Sequence, residues 1–447
     1  MKKNLAMLAL MSFVVMLMPS CLGSGDETDV SAYKDAQIAS FVLSHDSIAS
    51  LGSLKFTIDQ INGYIFNMDS LPYGTQIEKV ICTVTYRSGT NGVQVTQEAL
   101  GDSTIVWNGS DSLDFSRPVK FVTYAYDGMS KKTYTAKVNI HQVQPDTMVW
   151  ERYLAPVAGF ASQEMKVLES SGQLVMYTKT SEGLRRFIST WPANTWNPAE
   201  LQGLPAATAL DQICVLQSGT SYAVANNSLY SSSDGASWSQ TAEAPAVKAI
   251  LGALKADRNK PSLLTAVIES EGQNYFAAMD ESGEWTQGEA VPDNFPLKGF
   301  ATAQYEQMGF EYLLAGGGRD LQNRLVGAVW GTSNGMQWSQ LTRKNFSSLI
   351  ERESPIIVRY DNMLYLTGGF GADGTVDKTI YQSPDNGISW TSRDSLILFP
   401  DEYILRGNAS AATYAGHLYL FGGKTGIGSL HLDEIWRGHI NRLLFEN

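Results

Sequence analysis

Tryptophan recurs through the last two-thirds of this 447-residue chain at a spacing that few folds can use. Trp196, Trp238, Trp285, Trp338 and Trp390 lie 42, 47, 53 and 52 residues apart. A period of roughly 40–50 residues holds about four short strands with their turns, and points to a repeat architecture. The local sequence repeats with the indoles. Ser383-Pro-Asp-Asn-Gly-Ile-Ser-Trp390 is the fullest copy, Ser231 to Trp238 and Thr332 to Trp338 are close variants, and Asp280 to Trp285 and Asn194 to Trp196 are degenerate. Each copy has the chemistry of a tight turn between strands. An Asp or Asn accepts hydrogen bonds from backbone amides, a Gly takes positive φ, and the Trp packs on the apolar layer behind.

An aromatic residue precedes each Trp by eight or nine positions: Phe187, Tyr230, Phe276, Trp330 and Tyr381. In three units the apolar strand before it ends in adjacent glycines, at Tyr312 to Gly318, Leu364 to Gly369 and Leu418 to Gly423. Apolar strand, Gly-Gly, aromatic, then Trp resembles the kelch repeat of galactose-oxidase-like propellers, combined with the Asp-box of sialidase-like ones. His431-Leu-Asp-Glu-Ile-Trp-Arg437 is especially similar to kelch. Each unit parses into four strands, the fifth as Ile356–Tyr360, Met363–Leu366, Thr379–Ser383 and Ser389–Ser392. In the sixth, Trp436 fills the aromatic position and no turn Trp follows, while a spare Trp150 stands before the first unit. The expectation is an all-β chain whose residues 147–447 form a six-bladed β-propeller, closed by a strand around Trp150. Closure hides sheet edges that would otherwise pair with other chains.

Residues 36–143 read as a separate domain. Strands are expected at Ile38–Leu43, Lys55–Ile58, Lys79–Tyr86, Gly92–Ala99, Val119–Tyr126 and Lys132–His141, the last pair around an Asp127-Gly128 turn. Period-two apolar alternation with short turns predicts an immunoglobulin-like sandwich, acting as a spacer. The two-domain plan resembles a family of Gram-negative surface lipoproteins with an Ig-like N-terminal domain and a kelch-like propeller. That resemblance carries no assigned activity.

The first twenty residues read as an export signal: Lys2 and Lys3, then an apolar run from Leu5 to Met18, too short to span a bilayer. Ser20-Cys21 resembles a lipobox, which implies acylation of Cys21 and anchoring in the lipid of the outer membrane. Residues 21–35 are small, polar and acidic, a flexible tether of the kind that accompanies surface display. Loss of Lys2 and Lys3 takes the formal charge from −12 to −14, which argues against nucleic acid as a partner. Cys82 and Cys214 sit in apolar β-like runs and read as buried free thiols.

Chemistry is harder to find. Leu184-Arg-Arg-Phe-Ile188 is not the arginine segment of a sialidase, and Cys214 offers no copper cross-link partner on a loop. His417, His431 and His439 share the last unit, but strand alternation is expected to spread them over different faces, so no metal or cofactor is assigned. No nucleophile elbow, zincin helix or P-loop is present. The loops between second and third strands open on one face and supply the candidate ligand-binding residues: Arg319, Asp320 and Arg324, then Phe370, Asp373 and Asp377, then Lys424 and His431. Phe370, in a glycine-rich stretch, is expected to project into solvent. The functional expectation is a non-catalytic surface protein that binds or scaffolds glycan or protein. The alternative is a glycosidase-type carbohydrate-active enzyme, which needs only two positioned carboxylates.

Overall fold

A computed structural model describes residues 34–154, 164–342, 349–392, 395–426 and 430–442. The export segment, Cys21 and the tether as far as residue 33 lie outside the described residues. No helix among the described residues is long and apolar enough to cross a membrane. The chain is all-β and divides into two compact units between Gln144 and Pro145.

The first unit holds a two-stranded sheet, Ile38–Ser44 with Ile81–Tyr86, and a six-stranded sheet. The latter runs in the order Phe56–Asp59, Tyr64–Asn67, Lys131–Lys137, Val119–Tyr124, Gly92–Gln97 and Ser103–Val106. Its Tyr64–Asn67 and Lys131–Lys137 strands are parallel and the rest antiparallel. The sequence missed two of these strands, Tyr64–Asn67 and Ser103–Val106. Both are four residues long, and the second is exposed throughout, so no alternation marks it. The core gathers Phe41 edge-on to Phe56, Phe115 and Phe121, with Trp107 against Phe121.

The described part of the second unit contains six four-stranded antiparallel sheets in series. Their innermost strands are Glu164–Ser170, Cys214–Val215, Ala246–Leu254, Ala301–Gln307, Ile356–Tyr360 and Ser410–Tyr414. Consecutive innermost strands adjoin one another, and the last adjoins the first, where the Val167 amide donates to Ser410 Oγ at 3.0 Å. The sixth sheet takes its outer strand from the start of the unit: Met148–Leu154 pairs with Ile435–Ile440, Trp150 opposite Gly438. Trp150 is buried against Phe399 and Tyr403.

Local chemistry accounts for the sheets. Hairpins turn on two-residue loops with positive φ, such as Asp361-Asn362, Ser171-Gly172 and Ala415-Gly416, whose twist matches that of the strands. The Trp turns share one bonding scheme. Asp234 accepts from the amides of Ala236 and Ser237, Asn334 from those of Met336 and Gln337, and Asp385 from that of Ser389. Each indole then donates back to the glycine carbonyl of its own turn, Trp238 to Gly235, Trp338 to Gly335 and Trp390 to Gly387, at 3.1–3.3 Å. The amide bonds hold Asp234 down at about 2, and all three indoles are buried.

Candidate functional site

The six innermost strands enclose a cavity of about 290 Å³. Apolar side chains such as Val167, Ile213, Ile250, Phe300 and Ile356 line part of its wall, and polar groups supply slightly more of its exposed surface. At the end where those strands begin, the wall changes character. Lys166, Asp211, Gln212 and Cys214 line it there, with Ser354 and Asn408 completing the rim. Lys166 Nζ donates to the main-chain carbonyl of Asp211 at 3.0 Å, and the Gln212 side chain accepts the Ile250 amide at 3.0 Å.

Burial dominates the electrostatics of this end. It pushes Lys166 below the usual lysine range, although Asp211 pulls the other way. It lifts the Asp211 carboxyl above the carboxylate range against the attraction of Lys166 and two amide hydrogen bonds. Glu164, the first residue of its strand, is likewise raised by burial and by Asp211, with Lys179 and Lys424 opposing. Cys214 is pushed up to about 12 by burial, so its thiol stays protonated. Sequence reading missed Glu164, Lys166 and Asp211. Simple alternation puts Lys166 on the less buried face of its strand, so the sequence carried no signal for it.

The structure brings three of the sequence-predicted residues to equivalent positions in three successive sheets. Arg319, Phe370 and Lys424 each follow a Gly-Gly pair, and each bridges to the segment entering its own sheet, at Lys298, Glu353 and Gly407. The glycines are required because the neighbouring entry segment lies against them. A Cβ on Gly368, itself at φ +65, would stand 2.2 Å from the Arg406 carbonyl oxygen. Arg319 Nε reaches across to Glu353 at 2.5 Å. Phe370 corrects its expectation: the ring does not project but is half-buried, packed on Gly407 and covered by Lys424 Nζ at 5.4 Å from its centroid. His431 bridges to Lys424 in the same ladder, and burial followed by that lysine lowers its pKa.

The remaining predicted residues hold structure. Asp377 accepts from Arg352 Nη2, the Thr379 amide and the Tyr381 hydroxyl, each at 2.9 Å. Arg352 also donates to the carbonyls of Ile350 and Gly368, and Arg406 repeats the arrangement one sheet later with Ile404, Gly422 and Glu434. Asp320 is buried and tied to the amide and guanidinium of Arg324 at 2.9 and 2.7 Å. Both line a separate groove with Asn294 and Glu351. Asp373 is exposed and closes a turn onto Thr375.

The histidines need a second correction. His431 stands apart at the rim, but His417 and His439 face each other across two paired strands, with ring centroids 5.3 Å apart. Alternation did not separate them, because the Leu418–Gly438 register puts them opposite. No group of three or more His, Cys, Asp or Glu among the described residues is placed to hold a metal ion.

No curated protein matches the chain. Two family models do. Residues 28–138 match the N-terminal domain of a domain-of-unknown-function family, DUF6242, and residues 144–447 match the DUF6242 beta propeller domain. The chain, a β-propeller preceded by a smaller β domain, therefore belongs to the DUF6242 family.

Proposed function

We propose that this chain is a lipoprotein of the cell surface, held in the outer membrane through acylated Cys21, whose propeller binds glycan or protein without catalysing a reaction. The tether spans 21–35, an Ig-like spacer 36–143 and a six-bladed, Asp-box-containing propeller 147–447. Six sheets in series, the adjoining first and last innermost strands and the pairing of Trp150 with Gly438 support the blade count and the closure. The shared bonding of the Trp turns supports the Asp-box reading. The anchor rests on Cys21 and the apolar run before it.

One observation carries the binding reading: a cavity ringed by the six innermost strands, with Lys166 and Asp211 among the polar groups of its wall. Convergent polar groups beside apolar side chains in one hollow suit a ligand with a hydroxyl-rich or charged tip. The loops bearing Arg319, Phe370 and Lys424 bridge to the segments that enter the innermost strands beside this cavity. The test is a glycan array, with cross-linking on intact cells, comparing wild type with K166M/D211N. Binding that the double substitution weakens supports the reading. A wild type that captures neither class, or a variant that binds equally well, overturns it.

The pairing of Glu164 with Asp211 favours a second reading. Burial raises both carboxyls, and Asp211 adds to the rise at Glu164; a protonated acid of this kind beside an ionised carboxylate is what glycoside hydrolysis requires. Hydrolysis of aryl glycosides that disappears in both E164Q and D211N would establish it, and a wild type inert on all anomers would remove it.

A further inference from the structure

We propose that His417 and His439 form a binding site for a divalent transition-metal ion, with two protein nitrogens as ligands and water in the remaining positions. His417 opens the strand His417–Phe421 and His439 lies near the end of Ile435–Ile440, so both side chains stand on a hydrogen-bonded pair of strands. The geometry fits a shared ion. A Zn–N distance of ~2.0–2.1 Å plus about 1.15 Å from nitrogen to ring centre puts each centroid ~3.2 Å from the metal. At a tetrahedral angle the two centroids are then ~5.2 Å apart. The observed separation is 5.3 Å, with the rings inclined at 61°.

A second feature prepares one ring for the task. His417 Nδ1 lies 3.0 Å from the Ala415 carbonyl oxygen, where only an N–H is favourable. That places the proton on Nδ1 and leaves the lone pair on Nε2. A backbone carbonyl that fixes the tautomer in this way is the usual outer support of a metal-bound imidazole. Ala415 is held in turn by a tight turn at φ +47, next to Gly416, whose carbonyl accepts the Tyr360 hydroxyl at 2.8 Å. Both histidines are half-buried, so the free coordination positions meet solvent. Two imidazoles with open positions suit Zn²⁺, Ni²⁺ or Cu²⁺ better than Mg²⁺ or Ca²⁺, which require oxygen donors.

The test is calorimetric titration of the full chain, stripped with chelator and desalted, using NiCl₂ and ZnCl₂. One equivalent should bind to wild type and to H431Q. In H417Q and in H439Q the affinity should fall by at least about tenfold. Wild type that takes up no ion, H417Q/H439Q that binds as tightly as wild type, or loss of the site in H431Q overturns the proposal. Electron paramagnetic resonance of the Cu²⁺-loaded wild type checks the site without any substitution. Two imidazole nitrogens in the copper spectrum are expected, and a single nitrogen or a backbone-amide pattern refutes it.

Discussion

The strand around Trp150 can be tested through one close approach. Gly438 lies opposite Trp150, and a Cβ built on it would stand 2.7 Å from the indole, well inside van der Waals contact. Its φ is not positive, so backbone strain does not enter. Gly438→Ala must therefore displace the indole, and overpacking of this kind costs roughly 1–3 kcal/mol. Trp150→Ala acts through lost burial. The indole is nine-tenths covered and its Nε1 has no hydrogen-bond partner, so no polar interaction is lost with it. A buried Trp replaced by Ala costs about 3–5 kcal/mol, and an indole covering ~200 Å² at about 25 cal/mol/Å² agrees. The melting temperature should fall by roughly 6–20 °C, at ~2–4 °C per kcal/mol for a domain of this class. The two sites share the same space, so the double variant should melt no lower than W150A alone. Differential scanning calorimetry of the four proteins reads the cycle. Additive losses from the two substitutions, or a W150A melting point within about 2 °C of wild type, would refute the argument that this strand is packed into the last sheet.

Three further outcomes follow from the same structure. Arg406 is fully buried over the Tyr403 ring and donates to Glu434 and to the carbonyls of Ile404 and Gly422; Glu434 keeps Arg152 at 3.1 Å without it, but the carbonyls lose their donor, so R406A should lose about 1–3 kcal/mol in urea melts. Asp211 has a raised pKa, so its contribution to stability is present in acid and fades as pH rises. D211N should accordingly melt higher than wild type at pH 7, with the two curves converging toward pH 4, while any ligand binding at the cavity weakens. Cys214, with its thiol pushed up to about 12, should resist iodoacetamide at pH 8 in the native chain and react at once in guanidinium, as followed by mass spectrometry.

Local signals fared well wherever one residue type dictates the conformation it needs. The turn at Ser383 to Trp390 is legible because Asp, Gly and Trp each do one job within eight residues, and its hydrogen bonds all close locally. The fifth unit's strands fall where alternation and glycines put them, apart from fraying at the ends. The spare Trp150 announced a partner because one unit lacked an indole. Four-residue strands in the first unit gave no such signal.

The amino-acid order alone determined the repeat, the β class, the two-part division and the glycines at the sheet junctions, since each depends on neighbours a few residues away. The candidate site was decided only by tertiary structure. Glu164 and Lys166 come from one strand and Asp211 from the turn before the next sheet, and Phe370 and Lys424 meet across another junction. Their protonation is set by burial, which depends on how six strands distant in sequence enclose one cavity. The same holds for His417 and His439, whose encounter rests on a register that strand pairing, not spacing, selects.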